Sequence, residues 1–193
     1  MDFTDAVEFH GHACPGLAIG YRVANLVLKE MGVRARDEEL VAIVENNSCA
    51  VDAIQLICGC TFGKGNLIFR DFGKQVYTFI RRPNPEAVRI AVKWEPPADD
   101  PETAAMWQRY SEGDRSPEVT NAVHDRKARR MKSVLEAADP ELFEVKRIKV
   151  SMPEPARIYK SMACASCHEK VMEPRTRVVD GRVVCIPCSG GSE

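Results

Sequence analysis

Cys164, Cys167, Cys185 and Cys188 form two Cys-x-x-Cys pairs with seventeen residues between them. No other stretch of the chain dictates its chemistry by spacing alone. Each pair grips one edge of a tetrahedral ion through a tight turn, and the intervening segment returns as a hairpin. Asp180-Gly181, between Arg177-Val178-Val179 and Arg182-Val183-Val184, is where that hairpin reverses. All four donors are protein thiolates, so no position is left open for a substrate and the expected ion is a structural zinc. The other chemistries open to such cysteines are a redox dithiol and an iron–sulfur site. His168 follows Cys167 directly, but four sulfurs already complete the set.

A chain of 193 residues suits one ordinary domain with a small appendage. Pro153 and Pro155 mark the hinge, giving an expected core over 1–152 and a zinc finger over 156–193. Hydrophobic residues make up 45% of the chain, enough for a core, and no apolar run approaches the roughly twenty residues of a membrane helix. The net charge of −1 exerts no global pull on nucleic acid or anionic lipid. Met1-Asp2-Phe3-Thr4-Asp5 lacks a leader pattern. The eight cysteines are therefore expected to be reduced thiols in a cytoplasm rather than a disulfide framework.

Phe9 to Gly16 reads as a loop leading into a helix, with Pro15 at the first helical position. Leu17, Tyr21, Ala24, Leu28 and Met31 mark one buried stripe, and Gly32 ends the helix. Leu40–Val44 is a short β-branched strand. Glu45-Asn46-Asn47-Ser48 then caps a second helix from Cys49 to about Ile57. The glycine-punctuated loop from Cys58 to Gly65 lacks P-loop spacing at Gly63-Lys64-Gly65. Residues 66–69 and 76–80 are expected to pair as a hairpin around Asp71-Phe72-Gly73, with another strand over 88–92. Helices are expected over 99–112 and from Ser116-Pro117-Glu118 to about Ala138, then a strand over 142–150. The basic run from Asp125 to Lys132 reads as a solvated face paired with nearby acids, His124 as a surface residue, and Trp94 and Trp107 as packing anchors. Strands and helices mix without regular alternation, so the fold class is α+β: a mixed sheet with packed helices, followed by a small treble-clef or ribbon-type finger.

A second constellation lies in the first half. His10, His12 and Cys14 stand at the mouth of the first helix, Cys49 at the start of the next, and Cys60 in the loop after it. A helix N-terminus favours thiolate, so two such starts packed side by side form a sulfur-rich pocket. Asp52 is one turn beyond Cys49 on nearly the same face, and Lys64 offers a positive charge. The spacing matches no standard zinc pattern. The alternative is that Cys49 and Cys58 are small buried hydrophobes and the histidines ordinary loop residues.

At these positions the chain resembles the E-subunit family of formylmethanofuran dehydrogenase. Three motifs in order carry the likeness: Phe9 to Gly16, Cys49-Ala50-Val51-Asp52-Ala53-Ile54-Gln55, and Gly59-Cys60-Thr61-Phe62-Gly63-Lys64-Gly65-Asn66-Leu67. The resemblance covers roughly the first 150 residues. It implies an α+β core that forms a homodimer, with a C-terminal zinc finger in some members, and a link to one-carbon, methanogenesis-type metabolism. The parent enzyme reduces carbon dioxide onto methanofuran with a molybdenum or tungsten pterin carried by other subunits, which are then possible partners. Motif by motif, the resemblance nominates His10, His12, Cys14, Cys49, Asp52, Cys60 and Lys64 as the pocket and leaves Cys58 outside it. Few residues follow Cys188, so a closing treble-clef helix has little chain to use.

Three readings of function stay open at this point. One is an accessory metalloprotein with a second transition metal, zinc or iron, in the Cys/His pocket. Another is a thiol-dependent enzyme with Cys14 or Cys49 as nucleophile, His12 as proton shuttle and Asp52 as orienting group. The last is a binding module whose finger recognises protein or, less in keeping with the charge, nucleic acid.

Overall fold

The structure, a computed structural model, describes residues 1–191. Ser192 and Glu193, the last two positions of the expected finger, lie outside the described residues. The chain divides into two compact units, Met1–Pro155 and a second from Ala156 onward.

The first helix, α1 (Phe3–His10), was not expected. Its signals are short but real: the Asp2 carboxylate accepts from the Asp5 N–H at 3.1 Å, and the Asp5 carboxylate accepts from the Asp2 N–H at 2.7 Å. This reciprocal cap starts a helix whose Phe3, Ala6 and Val7 face the core, with Phe3 edge-on to Tyr21 at 5.4 Å. Phe9 and His10 thus belong to its last turn, and the expected loop shrinks to the residues after it. Gly11 ends the helix in the left-handed region at φ 93°, where glycine is unstrained. Helix α2 (Pro15–Met31) then runs as expected to Gly32.

Strand β1 (Leu40–Val44) is buried along its whole length, because it lies inside the sheet and both of its faces are covered. Leu40, Ala42 and Val44 pack toward α2 and α3 (Ala50–Cys58), and Val41 and Ile43 toward a smaller cluster with Ile80 and Ala87 on the opposite face. Strands β2 (Leu67–Phe69), β3 (Val76–Arg81), β4 (Glu86–Val92) and β5 (Phe143–Lys149) complete a mixed sheet of order β2-β1-β3-β4-β5.

This order corrects the hairpin expected between 66–69 and 76–80. β2 pairs parallel to β1, with Ala42 opposite Leu67, and β3 pairs antiparallel to β1 on its other side. The chain after β2 wraps the end of β1: the Arg70 N–H donates to the Val44 carbonyl at 2.9 Å and the Lys74 N–H to the Glu45 carbonyl at 3.1 Å. Strands two places apart are about 10 Å from each other, and the segment from Arg70 to Gln75 spans that easily. A strand as apolar as β1 is buried on both faces by taking the inner position.

Helices α4 (Pro101–Ser111), α5 (Pro117–Glu136) and the short α6 (Asp139–Leu142) connect β4 to β5. The basic run on α5 is only partly the expected solvated face. Arg126 is buried, pairs with Asp99 at 2.7 Å and lies 4.2 Å over the Trp107 ring, while Arg130 reaches the same carboxylate at 3.0 Å. Trp107 anchors packing by covering a guanidinium.

In the second unit, β6 (Ser161–Ala163) pairs with β7 (Lys170–Met172), and β8 (Thr176–Val179) with β9 (Arg182–Cys185). The expected reversal at Asp180-Gly181 has φ 49° and 72°, as a two-residue hairpin turn of this hand requires. The Ala165 N–H donates to the Val183 carbonyl at 2.9 Å and ties the two hairpins together. The closing helix is one 3-10 turn, Pro187–Ser189.

Two cysteines of the first unit are core. Cys58 and Cys60 are wholly buried, and burial pushes the Cys60 thiol up to about 12. The folded protein therefore holds a proton that the unfolded chain releases near the ordinary thiol value of about 8.5. Below that value the contribution to stability is constant; above it stability falls until pH about 12, by up to about 5 kcal/mol for Cys60. Urea denaturation across this range is expected to show the decline in wild type and a smaller one in Cys60→Ala. Equal declines would remove Cys60 as the cause.

Candidate metal centre

The ends of three helices meet at one point in the first unit. α1 contributes His10 from its last turn, α2 contributes Cys14 at its N-terminus, and α3 contributes Cys49 at its own. One donor atom from each of His10, His12, Cys14 and Cys49 lies within 4.8 Å of the others.

What permits the approach is a pair of glycines one helical turn apart on α2. A Cβ built on Gly20 would stand 2.1 Å from the Ala50 carbonyl oxygen, and one on Gly16 would stand 3.3 Å from the Cys49 Cβ. The backbone of α3 thus rests directly on α2, which places Cys49 beside Cys14. The sequence analysis has Gly16 only as the end of a motif and does not use Gly20, although their spacing of four is the kind that brings helices close.

Cys14 caps α2, its Sγ accepting from the Leu17 N–H at 3.3 Å. Cys49 has helical backbone angles and makes no side-chain cap bond. Its thiol is raised above the ordinary value, first by burial and then by Cys14 beside it. Both act against the thiolate that the sequence analysis expects a helix end to favour.

His10 Nδ1 lies 2.7 Å from Asp52 Oδ2, and its ring is largely buried, with 12% of the side chain exposed. The second ring nitrogen, Nε2, is buried without a hydrogen-bond partner among the described residues. A carboxylate on one nitrogen and a buried second nitrogen without a protein partner is how a metal-ligating histidine is held. His12 is exposed, its ring tilted against that of His10 at 4.5 Å between centroids. The donor set of two thiols and two imidazoles therefore fits a transition ion such as zinc or iron.

Cys60 and Lys64 are not brought to this cluster. The Cys60 thiol donates to the Leu40 carbonyl at 3.3 Å within the core, and the Lys64 ammonium donates to the Asp37 carbonyl at 3.1 Å. Their loop is pinned by Asn66, whose amide donates to the carbonyls of Leu40 and Gly59. Asp52 stands behind His10 and outside the group of donors.

In the second unit Cys164, Cys167, Cys185 and Cys188 converge in the same way, with Cys167 and Cys185 sulfurs 3.9 Å apart. Tetrahedral zinc with Zn–S near 2.3 Å requires about 3.8 Å. The Cys164 thiol is lowered to about 6 by the backbone N–H groups of Cys167, Cys185 and Ser166 that point at it, which prepares it as a ligand. This cluster is a structural zinc site. Among the described residues, no helix is long and apolar enough to cross a membrane.

Comparison with known proteins accounts for both units. Residues 157–193 match the prokaryotic dksA/traR C4-type zinc finger. A curated relative, a probable S-adenosyl-L-methionine-binding protein of Archaeoglobus fulgidus, is 32% identical over 204 aligned positions covering 96% of this chain. The chain spans about half of that relative's length, 51%. The crystal structure of an FmdE-like protein from Syntrophus aciditrophicus, named for the tungsten formylmethanofuran dehydrogenase, superposes with a TM-score of 0.64 at 28% identity, covering 100% of this chain and 94% of that one. Residues 9–144 match the family model described as FmdE, molybdenum formylmethanofuran dehydrogenase operon, so the chain belongs to the FmdE family.

Proposed function

We propose that this chain is an accessory metal-binding protein of one-carbon metabolism, working beside a formylmethanofuran dehydrogenase-type complex. It has a homodimeric core over 1–152 whose Cys/His pocket holds a transition ion, and a finger over 156–193 built on structural zinc. The family supports the metabolic setting, and the pairing of cores is what the family resemblance implies. One observation carries the pocket: His10 Nε2 is buried without a partner while Asp52 holds the opposite nitrogen, and a ring nitrogen of His10 lies within 4.8 Å of the sulfurs of Cys14 and Cys49. His10, His12, Cys14 and Cys49 would hold the ion; when bound, it supplies Lewis acidity and a soft coordination site. The fold's own part is to fix the His10 tautomer through Asp52 and to keep the two sulfurs together through Gly16 and Gly20.

The reading of Cys49 as a free nucleophile is less well supported, because burial and the neighbouring Cys14 raise its thiol and so disfavour the thiolate.

Metal analysis of the intact chain is expected to give two equivalents. Cys49→Ala is expected to retain the fold by circular dichroism but only one equivalent, and Asp52→Asn to weaken the core ion by about 10–100-fold. A single equivalent in the wild-type chain, with the finger intact, would remove the core metal from the proposal.

A further inference from the structure

We propose that His12 is the exchangeable ligand of the core ion, and that a small thiol binds by taking its place. This rests on the metal-binding reading above and goes one step beyond it. The four donors converge, but the fold does not hold them alike. His10 is locked by Asp52 at 2.7 Å inside the last turn of α1. Cys14 is locked by the Leu17 N–H and by the start of α2, and Cys49 is seated against Gly16 at the start of α3.

His12 has no such hold. It follows Gly11, lies in neither α1 nor α2, and is exposed, and no hydrogen bond holds its ring among the described residues. Three donors are thus placed by hydrogen bonds or close backbone packing, and the fourth by a ring contact with His10 alone. A ligand of this kind leaves without disturbing the others, because nothing else depends on its position.

The chemistry of the remaining three selects the guest. Two thiolates neutralise a divalent ion and, with one imidazole, leave it soft, so a sulfur donor competes better than a hard oxygen donor. The incoming thiol would bind through sulfur and release its proton to solvent while the imidazole of His12 swings free. No electrons are transferred and no bond of the protein is broken.

The test uses the full chain with cobalt(II) as the core ion. The same chain carrying Cys14→Ser and Cys49→Ser serves as the reference that subtracts the finger. 2-Mercaptoethanol is expected to raise the sulfur-to-cobalt absorption of the difference spectrum by about half, from two thiolates to three. His12→Ala is expected to keep its cobalt and to respond at about tenfold lower thiol concentration, having no imidazole to displace. His10→Ala is expected to lose the core cobalt. If His12→Ala loses it equally, or thiol leaves the spectrum of a cobalt-loaded core unchanged, His12 is a fixed ligand and the proposal is overturned. A flat difference spectrum before thiol is added overturns the metal-binding reading itself, and this proposal with it.

Discussion

A Cys167→Ala chain is expected to lose one zinc equivalent and the ordered structure of its second unit, while the first unit keeps its secondary structure. The reason is how little apolar packing the described residues of that unit offer. Among its described residues only Cys164 and Val184 are buried apolar side chains, and exposed groups such as Ile158, Met172 and Val178 bury little. Its two hairpins are each a two-stranded ribbon, too small to be stable alone. Structural zinc in modules of this size contributes on the order of 10 kcal/mol of folding free energy. Three sulfurs retain too little of that to offset the entropy of ordering the chain. Limited proteolysis reads the result: cleavage is expected beyond Pro155 in the variant and not in wild type. A variant finger that resists protease would show that packing, rather than zinc, holds it.

Where the sequence proved legible, the signal was local. The Cys-x-x-Cys pairs, the Asp180-Gly181 turn, the stripe from Leu17 to Met31 and the run Leu40–Val44 each carry their instruction within a few residues, and each element stands where it was expected. The misreadings share the opposite character. Residues 66–69 and 76–80 do form strands, but which strands pair is decided by β1, more than twenty residues earlier, and a hairpin is only the nearest guess. Helix α1 was missed because its cap is an Asp–Asp pair rather than the familiar Ser or Thr with Glu.

The candidate pocket divides along the same line. Cys14 and Cys49 were legible as residues at helix starts. The bond between His10 and Asp52 joins positions 42 apart, and only the three-helix junction brings them together. Cys60 and Lys64 sit inside a motif of the resembled family, yet their loop is pinned by Asn66 away from the cluster. Membership of a motif therefore does not by itself place a residue in a pocket.

Gly20→Ala is expected to be among the most damaging small substitutions in the first unit, and it tests how the pocket is assembled. Alanine is the better helix former by about 1 kcal/mol, so an exposed helical glycine would gain from the change. At position 20 the added Cβ meets the Ala50 carbonyl oxygen at 2.1 Å and its Cα at 2.5 Å. These are backbone atoms and cannot rotate away, so α2 and α3 must part. The cost of such overpacking, about 3 kcal/mol or more, exceeds the propensity gain. A lowered melting temperature is expected together with weaker binding of the core ion, since the same displacement separates Cys49 from Cys14. Gly16→Ala separates the two effects. Its Cβ meets the Cys49 side chain at 3.3 Å and lies 3.9 Å from both sulfurs, so metal affinity is expected to fall while stability changes by less than about 1 kcal/mol. If Gly20→Ala melts at the wild-type temperature, the close contact of α2 with α3 is not what holds the two sulfurs together. If Gly16→Ala binds the core ion as tightly as wild type, the space beside Cys49 is not part of the site.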